Sequence, residues 1–379
     1  MAYFASRICC RERFNLVRDL MSQSPAVSLA LGGFVLGLAF GWLARASNFC
    51  VMGAVSDWRI SGDCGRLGAA ALAAATAMIG AQSLDAAGIV DLSRSMYVAP
   101  HINWAASIFG GLIFGFGMVF AGGCPSRSLV RAGGGDFRAL VTALVMAVAA
   151  LATVSGILGP ARSSFEAATA IDLTTYHLPS QALPAVLASF NFDPSIMRWM
   201  ALAIIAGPLL MFAIYRGRIL RQPMLLIAGL GVGVIVTAGW AMTGLVSDDM
   251  AVRVIAPSSL SFVRPVADAI DWLERSTALG LPGFGAASVF GVLVGSALAS
   301  VASQSLRFTG FSDGADFRRH LFGAVAMGVG GILGLGCTIG QGVTGLSTLA
   351  VQSFLTAAAI ILGAVFGLAR LQRSLDLDD

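Results

Sequence analysis

The chain has 379 residues, of which 57% are hydrophobic and 12% are charged, and its mean hydropathy is +0.82. This composition excludes an ordinary water-soluble globule and predicts a polytopic, all-α membrane protein. The net charge of +4 comes without a basic patch interleaved with aromatic residues, so no nucleic acid partner is expected. The cysteines show no Cys-x-x-Cys or other ligand spacing, so neither a metal nor another cofactor is expected.

The N-terminal segment 1–25 is a basic tail with four arginines and no apolar core of the length that a secretory signal needs. We interpret it as an amphipathic segment at the membrane surface. It contains the adjacent pair Cys9 and Cys10, for which acylation is one interpretation and no modification is the favoured one.

Nine apolar runs follow, each close to the 20 or so helical residues that cross a bilayer. The runs are 26–44, 67–84, 102–121, 139–159, 199–215, 224–246, 283–303, 321–336 and 348–369. We therefore expect a first transmembrane repeat over 26–160 and a connecting region with two transmembrane helices over 161–282. A second repeat over 283–370 and a C-terminal tail over 371–379 complete the predicted organisation.

Two longer connections separate these runs, at 160–198 and 247–282. The first contains LPSQALPAVLASF, which fits either a half-helix that dips into the bilayer or a piece that lies on the membrane surface. The second contains FVRPVADAIDWLERS, in which apolar residues share one helical face. We expect both pieces to lie on the surface.

Arginine placement predicts the orientation, because cytoplasmic loops of membrane proteins are enriched in basic residues. With the N-terminus outside, fourteen arginines of the connecting segments lie inside and six lie outside. This difference outweighs the four arginines of the tail, which favour the opposite orientation. We expect the N-terminus outside and the C-terminus in the cytoplasm.

A glycine-striped unit occurs twice, first at 108–131 and again, in altered form, at 320–346. In each copy an apolar run ends in Gly-Cys, and small polar residues and glycines then interrupt the hydrophobicity. The matched landmarks are Phe109-Gly110 with Phe322-Gly323, Gly115 with Gly328, Gly117 with Gly330, Gly123 with Gly336 and Cys124 with Cys337. Because hydrocarbon cannot satisfy the backbone of a broken helix, such breaks are expected to line a cavity or to face protein.

The predicted orientation makes these two copies enter the membrane from opposite faces. The helix before Cys124 then runs inward, whereas the helix before Cys337 runs outward. This is an inverted repeat, and such repeats with broken helices bind their ligand near the midplane. The glycine stripes by themselves are more typical of helix-packing seams, so the Gly-Cys breaks carry the prediction of a site.

A third interrupted element follows the first apolar run, at Asn48-Phe49-Cys50-Val51-Met52-Gly53. Its weaker second copy is expected at 291–310, where Phe308 falls near the position of Cys50 and no thiol is present.

Four motifs, FAGGCPSRSLVRAGGG, LGCTIGQGVTGLSTLA, NFCVMGAVSD and GVGVIVTAGWAMTG, together resemble the YeeE/YedE family of bacterial inner-membrane sulfur transporters. The resemblance covers residues 26–370. It implies an hourglass-like helical protein of the bacterial inner membrane that imports thiosulfate along a narrow central path. Cys50, Cys124 and Cys337 match the family's path-lining cysteines, and Gln341 matches its glutamine. Here Cys124 is followed by Pro-Ser-Arg, where many relatives have glycine two or three positions on.

The chemistry of a doubly charged anion agrees with this resemblance. Its passage through hydrocarbon needs hydrogen-bond donors throughout, which broken helices supply as backbone N–H groups. Helices are expected to start near Phe137 and Ser347, after the two Gly-Cys turns. A neutral thiol, with an ordinary pKa of about 8.5, adds a weak donor. The predicted substrate-binding residues are Cys50, Cys124, Cys337, Gln341, Gly123 and Gly336.

Other functions remain open at this stage. The substrate could be another sulfur or selenium compound, or the protein could be a membrane-bound sulfurtransferase that carries a persulfide on Cys124. An enzyme would need an activating base, and no histidine lies near any of the three motifs, so a transporter rather than an enzyme is expected.

The remaining polar residues are less informative. Arg127 and Arg131 fit either an anion-attracting funnel or topology anchors. His101, His177 and His320 are expected to be solvated. Because the family often acts with a small cytoplasmic sulfur-carrier protein, such a partner is implied by the resemblance, besides the thiosulfate anion and the lipid bilayer.

Overall fold

The computed structural model describes residues 24–176, 178, 180–188, 193–246 and 256–375. The N-terminal tail, with Cys9 and Cys10, and His177 lie outside the described residues.

The first half of the chain contains seven helices and two short strands in chain order. They are α1 (Pro25–Ser47), α2 (Val51–Ser61), α3 (Gly65–Ala86), the 3-10 turns Leu92–Arg94 and Met96–Val98, β1 (His101–Ile102), α4 (Trp104–Phe120), α5 (Pro125–Gly133), α6 (Phe137–Val154), α7 (Gly159–Thr169) and β2 (Ile171–Asp172). The two strands pair antiparallel.

The second half contains seven more helices among its described residues. In order these are the 3-10 turn Leu173–Tyr176, α8 (Leu183–Ala188), α9 (Pro194–Tyr215), the 3-10 turn Ile219–Arg221, α10 (Pro223–Val246), α11 (Val263–Leu279), α12 (Phe284–Ala302), α13 (Gly314–Leu333), the π-helical turn Gly340–Gly345 and α14 (Val351–Leu375).

Eight spans within the described residues are long and apolar enough to cross a membrane. They correspond to eight of the nine predicted runs, which confirms a multi-pass, all-α membrane protein. The ninth run lies in α13, a 20-residue helix whose first turns carry Asp316, Arg318 and Arg319. Because of these charges α13 is not one of the eight apolar spans. It nevertheless packs between α4 and α6 inside the bundle.

The packing of the helices repeats about a pseudo-two-fold axis. In this repeat, α1 corresponds to α10 and α12 to α3, so the pair α1–α12 matches the pair α10–α3. Likewise α4 corresponds to α13 and α14 to α6, so the pair α4–α14 matches the pair α13–α6. Glycines make the close approaches: Gly33 and Gly37 of α1 face the backbone of α12, where added Cβ atoms would collide with the carbonyl oxygens of Phe284 and Ser288. Small residues of this kind allow membrane helices to pack at short range.

Helices α4 and α13 form the centre of this arrangement and run antiparallel. Gly110, near the start of α4, faces Gly330 and Gly334 at the end of α13, whereas Gly117 faces Gly323 near its start. The two Gly-Cys breaks therefore follow helices that run in opposite directions. The predicted inverted relation of the two copies is confirmed.

Both central helices end in the same backbone motif. Gly123 N–H donates to the Met118 carbonyl and Gly336 N–H donates to the Gly331 carbonyl, at 2.9 and 2.8 Å. This six-residue closure is typical of a Schellman C-cap, which needs a left-handed residue before its last donor. Gly122 supplies that residue in the first copy, with φ +70°, and Leu335 supplies it in the second, with φ +56°.

The third break has a different partner from the predicted one. Helix α12 continues through Gly291 and Gly295, and Phe308 is 87% exposed. By packing, α10 is the counterpart of α1, so the short helix α11 corresponds to α2. Phe262, which precedes α11 and is fully buried, therefore occupies the position of Cys50. The prediction was wrong because glycine spacing alone does not distinguish α12 from α10.

Both connecting pieces were predicted to lie on the surface, and neither lies wholly there. The first half of α11 is buried, including Val263 and Val266, while Leu273 in its second half is exposed. The N–H of Leu183 in α8 donates to the Leu349 carbonyl at 3.0 Å, next to the second break. Both segments therefore pack against the helix breaks. This packing is expected because the backbone polar groups at a break need protein partners inside the membrane.

Candidate functional site

Each of the three predicted cysteines precedes a short helical segment. Cys50 precedes α2, Cys124 precedes α5, and Cys337 leads into the π-helical turn. The long helix α6 starts at Phe137, as expected, whereas the long helix after the second break, α14, starts at Val351 rather than near Ser347. Each break contains a half-helix or turn before the next long helix begins, so the backbone N–H groups closest to the thiols belong to these short segments.

Two of the thiols accept hydrogen bonds from the segments that they precede. Cys50 Sγ accepts from the Gly53 N–H at 3.3 Å and Cys337 Sγ accepts from the Gly340 N–H at 3.2 Å. This is the geometry of a helix N-cap, with sulfur in place of a hydroxyl or carboxylate oxygen. Because the sulfur acts as the acceptor, the S–H of each thiol is left to donate elsewhere.

Cys124 differs because Pro125 follows it and provides no backbone donor. Its Sγ lies 3.3 Å from Ser126 Oγ, and the Arg127 N–H also faces this sulfur. The side chain is 0% exposed. The Pro-Ser-Arg sequence thus removes one backbone donor, at Pro125, and places a hydroxyl group next to the thiol.

The fold brings all three thiols together. Cys50 and Cys124 lie side by side, close enough for their side chains to hydrogen-bond, and the Thr338 hydroxyl lies beside Cys124. Cys337 lies within electrostatic reach of Cys124. All three cysteines are buried inside the bundle. The two central breaks therefore meet in the interior, although they belong to antiparallel helices.

Groups that sequence reasoning missed surround Cys337. The Phe262 and Ile339 N–H groups face its sulfur, and Tyr97 lies nearby and packs edge-on against Trp240. Tyr97 belongs to a short 3-10 turn between α3 and α4, where no motif marked it. Only the tertiary fold shows that this loop reaches the second break.

The other predicted site residues shape the breaks. Gln341 Nε2 donates to the Gly334 carbonyl at 2.8 Å, which satisfies the frayed end of α13. Gly123 and Gly336 donate their N–H groups to the C-caps of α4 and α13. All three residues therefore position the neighbouring cysteines, and their own strongest contacts are with protein.

A buried polar network holds the second break in place. Trp240 Nε1 donates to Ser347 Oγ at 2.9 Å, and Gln82 Nε2 donates to the Ser347 carbonyl at 3.0 Å. Thr344 Oγ1 donates to the Leu260 carbonyl at 2.6 Å. Helices α3 and α10 and the segment before α11 therefore all fix the turn that follows Cys337.

A cavity of about 290 Å³ opens beside this break. Its lining includes Tyr97, Ser259, Ser261, Arg264 and Gly336, so its inner wall directly precedes Cys337. The cavity lies near the C-terminal ends of α6 and α13. It is therefore on the opposite face of the bundle from Arg127 and Asp136, which lie near the N-terminal end of α6.

Four arginines gather near the first and third breaks on that opposite face. Arg45 donates to the Ser305 carbonyl at 2.9 Å, and Arg66 pairs with Asp57 at 3.3 Å. Arg127 donates to Asn48 Oδ1 at 3.1 Å. The fourth, Arg131, pairs with Asp136.

Arg131 has a structural role that the sequence left open. Its Nη2 lies 2.6 Å from Asp136 Oδ2, and its Nη1 donates to the Gly122 carbonyl at 2.8 Å. Burial alone would raise the pKa of the Asp136 carboxyl, but Arg131 and Arg138 outweigh this and hold the pKa below its usual range. Arg131 therefore ties the turn after α4 to the start of α6.

His320 is buried, contrary to the solvated position that was predicted. It is 4% exposed, its Nδ1 lies 2.9 Å from the Asp316 carbonyl oxygen, and its ring packs edge-on against Phe311. It lies against the turn at Gly122, because α13 and α4 run antiparallel. His101 is exposed, as predicted.

The adjacency of Cys50 and Cys124 can be tested by cross-linking. Copper-phenanthroline with oxygen as the oxidant should remove two thiol protons and two electrons and join the sulfurs of these residues, which peptide mapping would detect. Dithiothreitol should separate the two peptides again, and the disulfide forms only if the two sulfurs approach closely. A Cys50→Ala variant is the matched control and should not give this cross-linked peptide. Cross-linking of Cys124 to Cys64 instead would contradict this arrangement.

The sequence is similar to a described protein family and to several known transporters. The sequence profile described as sulphur transport matches residues 46–366. The thiosulfate transporter TsuA of Escherichia coli (strain K12) is 24% identical over 89% of this chain and 93% of its own length. The thiosulfate transporter TsuA of Spirochaeta thermophila is 23% identical over 87% of this chain and 96% of its own length. The probable transporter YedE of Salmonella typhimurium is 35% identical over 29% of this chain and 25% of its own length.

Proposed function

Because the chain belongs to the sulphur transport family, we propose that it imports thiosulfate across the bacterial inner membrane along a path lined by Cys337, Cys124 and Cys50. The observation that carries this proposal is the meeting of three buried thiols where two opposed helix breaks touch. A cavity borders one end of this cluster and an arginine-rich face borders the other. The names of the full-length relatives support thiosulfate as the substrate.

The donors along this path suit a sulfur oxyanion. The ion enters the cavity past Arg264 and the serines of the segment 258–261, and it meets the backbone N–H groups around Cys337. It then passes Thr338 and Cys124 to reach Cys50. Hydroxyl, thiol and amide groups replace its water, and each contact is weak enough for the ion to leave. The one carboxylate in the described lining of the cavity, Asp268, is paired with Arg264 at 2.6 Å.

The arginine distribution supports the proposed orientation in the membrane. The cavity lies on the face with few arginines, which we assign to the outside, and Arg127 lies on the face that we assign to the cytoplasm. The N-terminus is then outside and the C-terminus inside. A cytoplasmic sulfur-carrier protein, if it takes part, would meet the arginine-rich face.

A sulfurtransferase has less support than a transporter. The strongest described partners of the Cys124 side chain are Cys50, Ser126 and Thr338, besides the backbone N–H of Arg127. None of these is a general base, although the N-terminus of α5 and the nearby Arg127 guanidinium are groups that favour a thiolate. A persulfide on Cys124 in protein incubated with sulfane-labelled thiosulfate would nevertheless favour the enzyme.

Uptake of labelled thiosulfate into proteoliposomes tests the proposed function. Purified wild-type protein should give saturable uptake that unlabelled thiosulfate suppresses, and sulfate and selenite serve as competitors to define the substrate class. Liposomes without protein set the background. Uptake at background for thiosulfate, with clear uptake of another sulfur or selenium anion, would reassign the substrate.

A further inference from the structure

Arg127 occupies an unusual position beside the cysteine cluster. It lies in the first turns of α5, and its guanidinium is within electrostatic reach of both Cys50 and Cys124. One terminal nitrogen, Nη2, donates to Asn48 Oδ1 at 3.1 Å. The other, Nη1, is buried and has no hydrogen-bond partner in the described part of the chain. A buried cationic donor without a partner is costly, so it indicates a place for an anionic ligand.

The neighbouring arginines make the contrast clear. Arg66 has Asp57 and Arg131 has Asp136, while Arg45 donates to both the carbonyl and the hydroxyl of Ser305. Over the described ranges, Arg127 has no carboxylate within ion-pair distance. A topology anchor needs only a charge in a solvated loop. Arg127 instead keeps one donor buried and unpaired next to the thiols.

Asn48 holds the arginine in this position. It ends α1 in the left-handed conformation, with φ +53°, which asparagine tolerates better than most residues. Its neutral amide oxygen fixes one side of the guanidinium without neutralising the charge. The planar fork can then present its remaining donors to two oxygen atoms of one ligand.

We propose that Arg127, held by Asn48, is the oxyanion-binding station on the side of the cysteine cluster away from the cavity. It binds the negatively charged oxygens of a small sulfur oxyanion while Cys50 and Cys124 contact the rest of the ion. This assignment rests on the proposed function. It also gives the Pro-Ser-Arg sequence after Cys124 a role, since this sequence supplies both Ser126 and Arg127 at the first break.

The test uses thiosulfate uptake by full-length protein in proteoliposomes. Arg127→Gln removes the charge, and Asn48→Asp leaves the arginine in place but gives it a carboxylate partner. Both variants should raise the KM for thiosulfate about tenfold, as expected for the loss of one charge-assisted hydrogen bond. Both should also weaken inhibition by sulfate. Arg127→Lys keeps the charge but not the planar guanidinium, so its KM for thiosulfate should lie between those of the two variants and that of wild type.

Arg59→Gln is the matched control, because Arg59 is an exposed arginine at the end of α2. It removes the same charge and should leave KM unchanged. If Arg127→Gln does not fold, as judged by size-exclusion chromatography, the Asn48→Asp variant decides. Wild-type KM and wild-type sulfate inhibition in Asn48→Asp would overturn the assignment of Arg127 while leaving the proposed function intact. Absence of uptake by the wild-type protein would instead reject the proposed function itself.

Discussion

Replacing Cys124 with alanine should lower the uptake of thiosulfate on the order of 100-fold. The thiol lies between Cys50 and Thr338 at the point where the two central breaks meet, and it is completely buried. Truncating one partner of a buried, hydrogen-bonded charged contact costs about 2–5 kcal/mol. Each 1.4 kcal/mol or so corresponds to a factor of about ten, so the expected loss corresponds to about 2.8 kcal/mol, in the lower half of that range.

Cys124→Ser distinguishes a hydrogen-bond donor from a nucleophile. Serine retains a hydroxyl that can donate to the anion and to Ser126, so a donor role predicts uptake well above that of the alanine variant. Serine cannot carry a persulfide, so a covalent route predicts that both variants are equally inactive. Initial rates from the same proteoliposome assay separate these outcomes.

Cys64→Ala is the control for the loss of a buried thiol as such. Cys64 is 8% exposed, and its Sγ contacts only the Gly62 carbonyl oxygen, at 3.8 Å, among the hydrogen bonds of the described residues. Uptake by this variant should stay within about twofold of wild type. A loss in Cys64→Ala as large as that in Cys124→Ala would show that the assay reports stability rather than conduction.

The architecture could be predicted from the sequence because its strongest signals are local. Long apolar runs identified the membrane helices, and a constant offset between Cys124 and Cys337 identified the repeat. Opposite directions for α4 and α13 followed from these two signals and from the four spans that lie between them in the sequence, because an even number of intervening spans reverses the direction. The same offset even matches the two C-caps, at Gly123 and Gly336.

The details of the site were less accessible because they depend on tertiary contacts. The nine-residue helix α5 is too short for a periodic apolar signal, although Pro125 at its first turn is a recognised start signal. Tyr97 and Phe262 have no motif of their own and reach Cys337 only through folding. Thr338 lies in the LGCTIGQG motif, but its approach to Cys124 also depends on folding. His320 was placed in solvent because the sequence does not show the turn of α4 that covers it.

Replacing Gly330 with leucine should prevent the protein from folding into a stable, monodisperse form. Gly330 lies where α13 crosses α4, and a Cβ added there would be 2.5 Å from the Phe114 nitrogen and 2.7 Å from the Gly110 carbonyl oxygen. These atoms belong to the backbone of α4 and cannot rotate away. The helices would have to separate, which removes van der Waals contacts along the whole crossing and costs several kcal/mol, more than the roughly 1–3 kcal/mol of ordinary overpacking.

Gly207→Leu is the matched control for this substitution. Gly207 lies in the transmembrane helix α9, and a Cβ added there would have no atom within 4 Å. It should yield as much protein as wild type in size-exclusion chromatography and melt at a similar temperature. The yield and melting temperature of Gly330→Ala should lie between those of Gly207→Leu and Gly330→Leu, because even a methyl group meets the α4 backbone. Wild-type yield and melting temperature for Gly330→Leu would mean that α4 and α13 do not pack at this short distance, and the two breaks would then have no reason to meet.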